Sequence, residues 1–439
     1  MPSRFPATLT PPRLKSSVLT TPVLKSLVLK SLVLGCATLY SLAALADGVS
    51  DKRGIAFAAI QPADRATMNG NVAWWYNWSP ATDPNLEASA EAESALEFVP
   101  MTFGADFDEQ RLRGYLDEHA EARYLLAFNE PNFRDQANLT PQAAANAWPR
   151  LEAIADDYGL KLLSPAVNYS PGEVDIPGTD DNGSPFAYLD AFFAACAGCR
   201  VDGIAVHAYM AAPEWFTPYI EQFHERYAKP IWVTEWNQSS DGGSTTRESQ
   251  MDFLAETVRW MEGQDYIERY AWFLGRVPDD DDAPPTVIDL LDDDGDWTAL
   301  GTLYQGIQGS DTYTTLPATI QAEHAVTMTG MHHRTTVDSD GRPVVQLFSN
   351  QDEREQRLRF QISSESDRTY RVRLAYAAGA ASVRLRVDGQ TRQTLSLPST
   401  GSVYVWSQTT ASLALSAGEH TLTLETTGGY PSFDWLAFE

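Results

Sequence analysis

Two short runs place acidic side chains where chemistry can use them: Leu125-Leu126-Ala127-Phe128-Asn129-Glu130-Pro131-Asn132 and Ile231-Trp232-Val233-Thr234-Glu235-Trp236-Asn237. Each is an apolar β-type stretch that ends on one Glu. A strand ending at the mouth of a barrel holds its last side chain rigidly and aims it among the loops where substrates bind. Two carboxylates facing each other across such a cleft can cleave a glycosidic bond: one, protonated, donates to the leaving oxygen, and one, ionised, attacks the anomeric carbon. That division of labour requires environments that push the two pKa values apart. Asn129 directly precedes Glu130 and is placed to bond a sugar 2-hydroxyl, while Asn132 and nearby aromatics would desolvate the acid. His207 and Tyr209 end the strand before that of Glu235, where the Tyr209 hydroxyl would donate to Glu235 and keep it ionised. The plain alternatives are surface carboxylates near turns for the two Glu and a buried, satisfied core histidine for His207.

The elements that must position these groups are legible as an alternation. Eight β-type runs occur at Gly54 to Ala59, Val72 to Trp75, Phe98 to Phe103, Tyr124 to Asn129, Lys161 to Val167, Asp202 to Ala208, Pro230 to Glu235 and Arg269 to Leu274. Continuous apolar stretches such as Ile204-Ala205-Val206 and Ile231-Trp232-Val233 suit parallel strands covered on both faces. Between them lie helical patterns: Leu112, Tyr115, Leu116 and His119 share one face, Thr140-Pro141 is an N-cap and first-turn pair, and further helices are expected from Pro185 towards Cys196, Pro213 to Tyr227, Thr246 to Met261 and Thr298 to Gln308. Glu130 and Glu235 then close the fourth and seventh strands. After Gly309 the pattern changes to period two, in Tyr370 to Tyr376, Ser382 to Val387, Ala411 to Leu415 and His420 to Glu425, separated by turns such as Asp388-Gly389 and Gly428-Gly429. The expected fold is α/β, a (β/α)8 TIM barrel followed by an all-β jelly-roll domain. The boundaries read as a leader over 1–46, the barrel over 47–310, a linker over 311–318 and the β-domain over 319–439.

Composition supports this division. The chain has 439 residues, of which 43% are hydrophobic and 11% aromatic, enough for real cores and too many for a disordered chain. Asp47 to Ala318 holds 46 acids against 16 bases, whereas Thr319 onwards holds 13 against 11, every base an Arg. So acidic a barrel surface excludes nucleic acid and anionic lipid as partners. The first 46 residues carry Arg4, Arg13, Lys15, Lys25 and Lys30 and no acid, then an apolar run from Ser31 and the small-residue triplet Ala44-Leu45-Ala46. That is the layout of a cleaved export signal, leaving a secreted protein with no membrane segment. A membrane anchor is the alternative, although the apolar part is short for a span. Leu34-Gly35-Cys36, as a loose lipobox, offers a cell-surface lipoprotein instead. With Cys36 removed, only Cys196 and Cys199 remain, better read as a local disulfide of an exported protein than as a redox pair or half a zinc site. The acidic insert from Pro278 to Asp296 lacks the terminal Glu of an EF-hand loop and reads as a solvated turn.

Asn129-Glu130-Pro131 and Thr234-Glu235-Trp236, on strands four and seven, resemble clan A of the glycoside hydrolases. Lys52-Arg53-Gly54 before strand one, Trp75-Tyr76-Asn77-Trp78 after strand two and the Asp294-Gly295-Asp296-Trp297 turn narrow the resemblance to glycoside hydrolase family 128, over Lys52 to Gln308. The resemblance implies endo-acting, retaining hydrolysis of β-1,3-glucan, with Glu130 as acid/base, Glu235 as nucleophile and no catalytic cofactor. Indole rings stack well on pyranose faces, which makes Trp75, Trp78, Trp236 and Trp272 candidate sugar platforms, with Trp74 and Trp232 assigned to the core. The ends of the β-domain, Ile320-Gln321-Ala322-Glu323 and Phe433-Asp434-Trp435-Leu436-Ala437-Phe438, resemble carbohydrate-binding module family 6. In that family such acids help hold a structural Ca2+, which nominates Glu323 and Asp434. Val403 stands where many members have a stacking Trp and Ser432 near a frequent Asn, so Tyr404, Trp406 and Tyr430 become the candidate sugar-binding aromatics, Trp406 with a core alternative. Two other functions fit the same residues: a clan A hydrolase of another β-glucan or mannan, and a catalytically silent polysaccharide-binding protein.

Overall fold

A computed structural model of the chain describes residues 50–58, 60–83, 86, 96–239, 245–277, 286–309, 312–337, 343–349, 355–402 and 404–439. The expected leader, with its lipobox alternative, lies outside them, as does Val403. Strands β1 (Arg53–Ala56), β2 (Trp74–Tyr76), β3 (Glu97–Phe98), β6 (Ile204–Met210), β7 (Ile231–Gln238) and β8 (Ile267–Phe273) form one parallel sheet in the order β3-β2-β1-β8-β7-β6, and β4 (Tyr124–Leu125) pairs with β5 (Lys161–Leu162). Single parallel bridges complete the ring. Met101 meets Leu126, Leu163 meets Gly203 and Val167 meets Val206, with backbone bonds such as Thr102 N to the Leu126 oxygen (2.9 Å) and His207 N to the Val167 oxygen (2.8 Å). The eight expected strands therefore close into a barrel.

Helices cover it at Pro62–Met68, Glu109–Glu118, Pro141–Tyr158, Pro185–Ala195, Pro213–Tyr227, Arg247–Glu262 and Ala299–Gly306. Their starts follow local chemistry: Thr140, Ser184, Thr246 and Thr298 each cap with a side-chain oxygen, and Pro141 and Pro185 fill the first turn, where no amide partner is needed. Strand alternation sorts the side chains. Ala56, Trp74, Tyr76, Leu126, Ala205, Trp232 and Ala271 fill the barrel interior, whereas Ile55, Trp75, Phe98, Val233, Tyr270 and Trp272 pack outward under the helices. A Cβ on Gly54 would lie 2.3 Å from the Trp74 ring, so glycine is what lets that indole fill the barrel. Arg53 of the same motif is structural: its guanidinium donates to the carbonyls of Tyr304, Gln305 and Ile307, closing the end of the last helix, and pairs with Glu262.

The second domain is a sandwich. One sheet has the order β12 (Met331–Val337), β13 (Pro343–Ser349), β20 (Ser432–Phe438), β15 (Arg368–Ala377), β18 (Ser407–Leu415), with β10 (Thr319–Gln321) on β20. The other runs β11 (Thr327–Thr329), β14 (Arg357–Ser364), β19 (Gly418–Gly428), β16 (Ala381–Val387), β17 (Gln390–Leu397), with β9 (Thr314–Leu316) on β14. Phe360, Leu374, Leu385, Leu413, Leu424 and Phe433 belong to the core between them. Because β9 pairs in register with Ile362 to Ser364, the stretch expected as a linker is already part of the sandwich. Gln308 fastens it, donating to Thr314 Oγ1 (2.5 Å) and to the Gln361 carbonyl (3.3 Å).

Barrel and sandwich make up one compact unit. Arg259 of the Arg247–Glu262 helix donates to the carbonyls of Ala325 and Glu323, and Asp252 accepts from the His333 amide while facing both the His332 and His333 rings. Cys196 and Cys199 are joined as a disulfide, and the Asp292 carboxylate accepts the amides of Asp294 and Asp296, so the described part of the acidic insert is a self-capped turn. No helix among the described residues is long and apolar enough to cross a membrane.

Candidate active site

Glu130 and Glu235 meet at one rim of the barrel. One carboxylate oxygen of each and a His207 ring nitrogen all lie within 4.8 Å of one another, and all three residues are buried. His207 Nδ1 is 2.9 Å from Glu130 Oε1 and 3.4 Å from Glu235 Oε2, so the imidazole bridges the two acids. Asn168 Nδ2 donates to Glu130 Oε1 at 3.3 Å. Around Glu235, Trp78 Nε1 donates to Oε1 at 2.7 Å, the Tyr76 hydroxyl to the same oxygen at 3.3 Å and the Tyr209 hydroxyl to Oε2 at 2.5 Å. An indole N–H can only donate, which makes Glu235 Oε1 an acceptor.

Burial pushes the Glu235 carboxyl above its ordinary range and the Glu130 charge adds to this, while His207, Tyr209 and Trp78 pull it back in part. The expected role of Tyr209 in favouring the ionised form is therefore present, but desolvation outweighs it. Burial alone would lower the His207 pKa; the Glu235 charge and the Glu130 hydrogen bond overcome it and raise the net value. Burial, then Glu235, raises Tyr209 and Tyr76 far above the usual phenol range, so both stay donors. Two carboxylates and an imidazole this close could also hold a metal ion, but both Glu235 oxygens already accept hydrogen bonds that a cation would have to displace.

The backbone is bent to make this arrangement. Between Val233 and Trp236 the pairing of β7 slips, leaving Thr234 as the extra residue of a β-bulge, and His207 faces Glu235 across the register. Glu130 adopts φ 38° and Trp78 φ 56°, the left-handed region, which costs a non-glycine residue about 1–3 kcal/mol. Glu130 is held there by its own amide on the Ala166 carbonyl and by its carbonyl receiving the Phe133 amide, both at 2.9 Å.

The cleft thus brings together Glu130, Glu235, Asn129, His207, Tyr209 and Trp78 of the sequence-derived set. Asn129 donates to Gln136 Oε1 (3.2 Å), and its buried Oδ1 has no partner among the described residues. Asn132 acts at one remove, donating to the Asn168 carbonyl at 2.6 Å. Three expected platforms are elsewhere. Trp75, Trp236 and Trp272 are at most 1% exposed and pack outward: Trp75 on Phe98, and Trp236 edge-on to Trp272, whose Nε1 donates to the Ile288 carbonyl. Adjacent strand residues face opposite ways, so Tyr76 and Phe273 occupy the inward positions instead. Phe273 packs edge-on against Trp78 and Tyr209. Asn168 and Phe273 were missed as site residues; Tyr76 stood among the aromatics after the second strand that fit the substrate, and the Trp74, Tyr76 alternation on β2 was the signal for its inward turn.

In the sandwich, Tyr404 and Tyr430 are exposed and Trp406 is half-buried. Tyr404 lies 5.7 Å from the Arg334 guanidinium. Glu323 is buried beside Asp434; burial and that neighbouring charge push its carboxyl up to about 8, and its Oε2 has no hydrogen-bond partner among the described residues. Two buried carboxyls side by side offer the oxygen ligands that suit a hard cation.

Residues 54–304 match the family described as glycosyl hydrolase catalytic core, and residues 321–439 match carbohydrate binding module family 6. A family 128 (subgroup II) endo-β-1,3-glucanase from Pseudomonas viridiflava is 39% identical, covering 60% of this chain and 100% of that one, with a TM-score of 0.52. Another subgroup II enzyme, from Sorangium cellulosum, is 36% identical over 58% of this chain and 97% of that one, with a TM-score of 0.49. Alkali-sensitive linkage protein 1 of Schizosaccharomyces pombe is 26% identical over 230 residues, 51% of this chain but only 39% of that relative's length. With two buried Glu at the mouth of its barrel, this chain belongs to the glycosyl hydrolase catalytic core family, within glycoside hydrolase family 128, and carries a family 6 carbohydrate-binding module.

Proposed function

We propose that this protein is a secreted, retaining endo-β-1,3-glucanase. The observation that carries the reading is the approach of the Glu130 and Glu235 carboxylate oxygens to within 4.8 Å. So short a separation suits direct attack, because inverting enzymes need room for a water between acid and base. The P. viridiflava relative, matched over its whole length, is an endo-β-1,3-glucanase, which favours this polymer over β-1,4-glucan or mannan.

Glu130, protonated, gives its proton to the glycosidic oxygen as that bond breaks, and Glu235 forms the bond to the anomeric carbon. In the second step Glu130 takes a proton from water, the water oxygen bonds the anomeric carbon and Glu235 leaves, restoring the original configuration. Tyr209 and Trp78 hold Glu235 in line and stabilise its charge each time it departs. The Asn129 oxygen is free to accept from the sugar 2-hydroxyl. His207, cationic between the acids, steadies whichever one is ionised.

Export is supported by the basic, apolar leader and by the Cys196–Cys199 disulfide. We further assign Glu323 and Asp434 as ligands of a structural Ca2+ that stabilises the sandwich, and Tyr404, Trp406 and Tyr430 as its sugar-contacting aromatics, which would concentrate the enzyme on insoluble glucan. The test is digestion of laminarin, mixed-linkage glucan and mannan, with NMR of the newly formed anomers. β-Configured laminari-oligosaccharides are expected. Other oligomers, α-anomers or binding without products would each overturn a part of the reading. Glu130→Ala and Glu235→Ala should lose activity by orders of magnitude while folding normally.

A further inference from the structure

The two oxygens of Glu130 are not equivalent. Oε1 receives both side-chain donors, Asn168 Nδ2 at 3.3 Å and His207 Nδ1 at 2.9 Å, whereas Oε2 receives none among the described residues. A second contact fixes the identity of the Asn168 donor. Its Oδ1 accepts the Tyr169 amide at 2.8 Å; a backbone N–H only donates, so the end of the side chain that faces Glu130 is the nitrogen. The His207 contact to Glu235 Oε2 is the longer of its two, at 3.4 Å. One short stretch of backbone carries both neighbours: the Ala166 carbonyl accepts the Glu130 amide at 2.9 Å and the Val167 carbonyl accepts the His207 amide at 2.8 Å. Asn132, 0% exposed, donates to the Asn168 carbonyl at 2.6 Å and pins the end of that stretch. With Oε1 covered by two donors, the open edge of the Glu130 carboxyl is Oε2.

An oxygen that already accepts two hydrogen bonds is a poor place for a proton, because its donors favour negative charge there. Resting on the retaining β-1,3-glucanase reading, we propose that Asn168, held by Asn132, is a positioning residue: it reserves Glu130 Oε1 for charge and leaves Oε2 to carry the proton that is transferred. In the first step that proton passes from Oε2 to the glycosidic oxygen, which keeps the electron pair of its broken bond to the anomeric carbon. The charge left on Glu130 gathers at Oε1, where the donors already stand. In the second step Oε2 takes the proton of the attacking water. Asn168 acts through Glu130 alone, since the donors to Glu235 are Trp78, Tyr76 and Tyr209.

The test compares laminarihexaose, whose departing oxygen must be protonated, with a dinitrophenyl β-laminaribioside, whose leaving group departs as the anion. On both, kcat/KM reports the bond-breaking step. For Asn168→Ala, kcat/KM on laminarihexaose is expected to fall about 10- to 50-fold, part of the roughly 100- to 10,000-fold that a general acid contributes, and the loss on the aryl substrate to be at least about fivefold smaller. Asn168→Asp, which keeps the shape but replaces the donor by an acceptor, should show the same split. Asn132→Ala should show it more weakly, because the Tyr169 amide still holds the Asn168 side chain. Equal losses on both substrates, or none on either, would overturn the proposal. Neutron diffraction of the unaltered protein, with crystals taken to lower pD until a deuteron appears on Glu130, reads the placement directly: a deuteron on Oε2 supports the proposal and one on Oε1 overturns it. If the unaltered protein cleaves neither substrate, the β-1,3-glucanase reading falls, while the neutron result separately decides which oxygen is reserved for charge.

Discussion

At the catalytic cleft the decisive fact is which oxygen receives which proton. Glu235 accepts from Trp78, Tyr76 and Tyr209, whereas Glu130 contacts His207 and Asn168. Because the Tyr209 bond lowers a carboxyl that burial raises, Tyr209→Phe should move the acidic limb of kcat/KM to higher pH. A lost hydrogen bond to a charged group, worth about 1.5–3 kcal/mol, should also cut the rate about 10- to 100-fold. A pH–rate profile checks both effects. His207 carries a raised pKa, so its charge persists above the ordinary histidine range and is lost as pH rises through the folded value. A basic limb that disappears in His207→Asn is the expected signature, and an unchanged limb would assign that ionisation elsewhere.

The elements that hold these groups show how little backbone distortion decides a site. Counting inward and outward along β7 from Trp232, which faces in, would place Thr234 and Trp236 inward and Glu235 outward. The bulge at Thr234 reverses that parity, turning Glu235 into the cleft and Trp236 under the helices. Trp236 and Trp272 are then core residues. Trp236→Ala or Trp272→Ala should therefore cost about 3–5 kcal/mol of stability, the usual penalty for truncating a buried large aromatic, read as a lower midpoint in urea. A sugar platform would behave oppositely, losing binding with little change in the midpoint.

Over the whole molecule, the module is fastened to the barrel by polar groups rather than by a loose tether. Arg259 is half-buried, with its pKa lowered to about 10 by desolvation, and it leans on Asp252, Glu256 and the Glu323 and Ala325 carbonyls. Truncating it to Ala removes charge-assisted hydrogen bonds to those carbonyls and should cost about 1.5–3 kcal/mol, measurable as separate melting of barrel and module. Acid acts in the same place. Burial lowers His324 to about 4, so the folded state excludes a proton that the unfolded chain takes up near 6.5; the stability from neutral His324 is complete above 6.5 and drains away as pH falls towards 4. Asp252, lowered through His333 despite its burial, works in the same direction. Glu323, raised to about 8, works oppositely: its protonated form supports the fold below about 4.5, and that support is lost as pH rises through 8. Added Ca2+ should therefore raise the melting temperature by several degrees at pH 8 and little at pH 5, and Glu323→Gln should blunt the gain; scanning calorimetry decides.

Much of this was readable from one dimension. Eight apolar runs alternating with capped amphipathic segments determine a parallel barrel, because such strands need cover on both faces and connections that cross over. Period-two segments with glycine turns determine the sandwich, and a Glu at the end of the fourth and seventh runs determines which acids share a rim. Local periodicity sets these outcomes, and it is a property of neighbours in sequence. Which of two adjacent aromatics faces the sugar was decided only in three dimensions. Trp236 yields to Glu235 through one bulge, Trp272 yields to Phe273, and Asn168, from another strand's loop, completes the setting of Glu130. Those choices rest on strand register and long-range packing, where a shift of one residue exchanges the two faces of a strand.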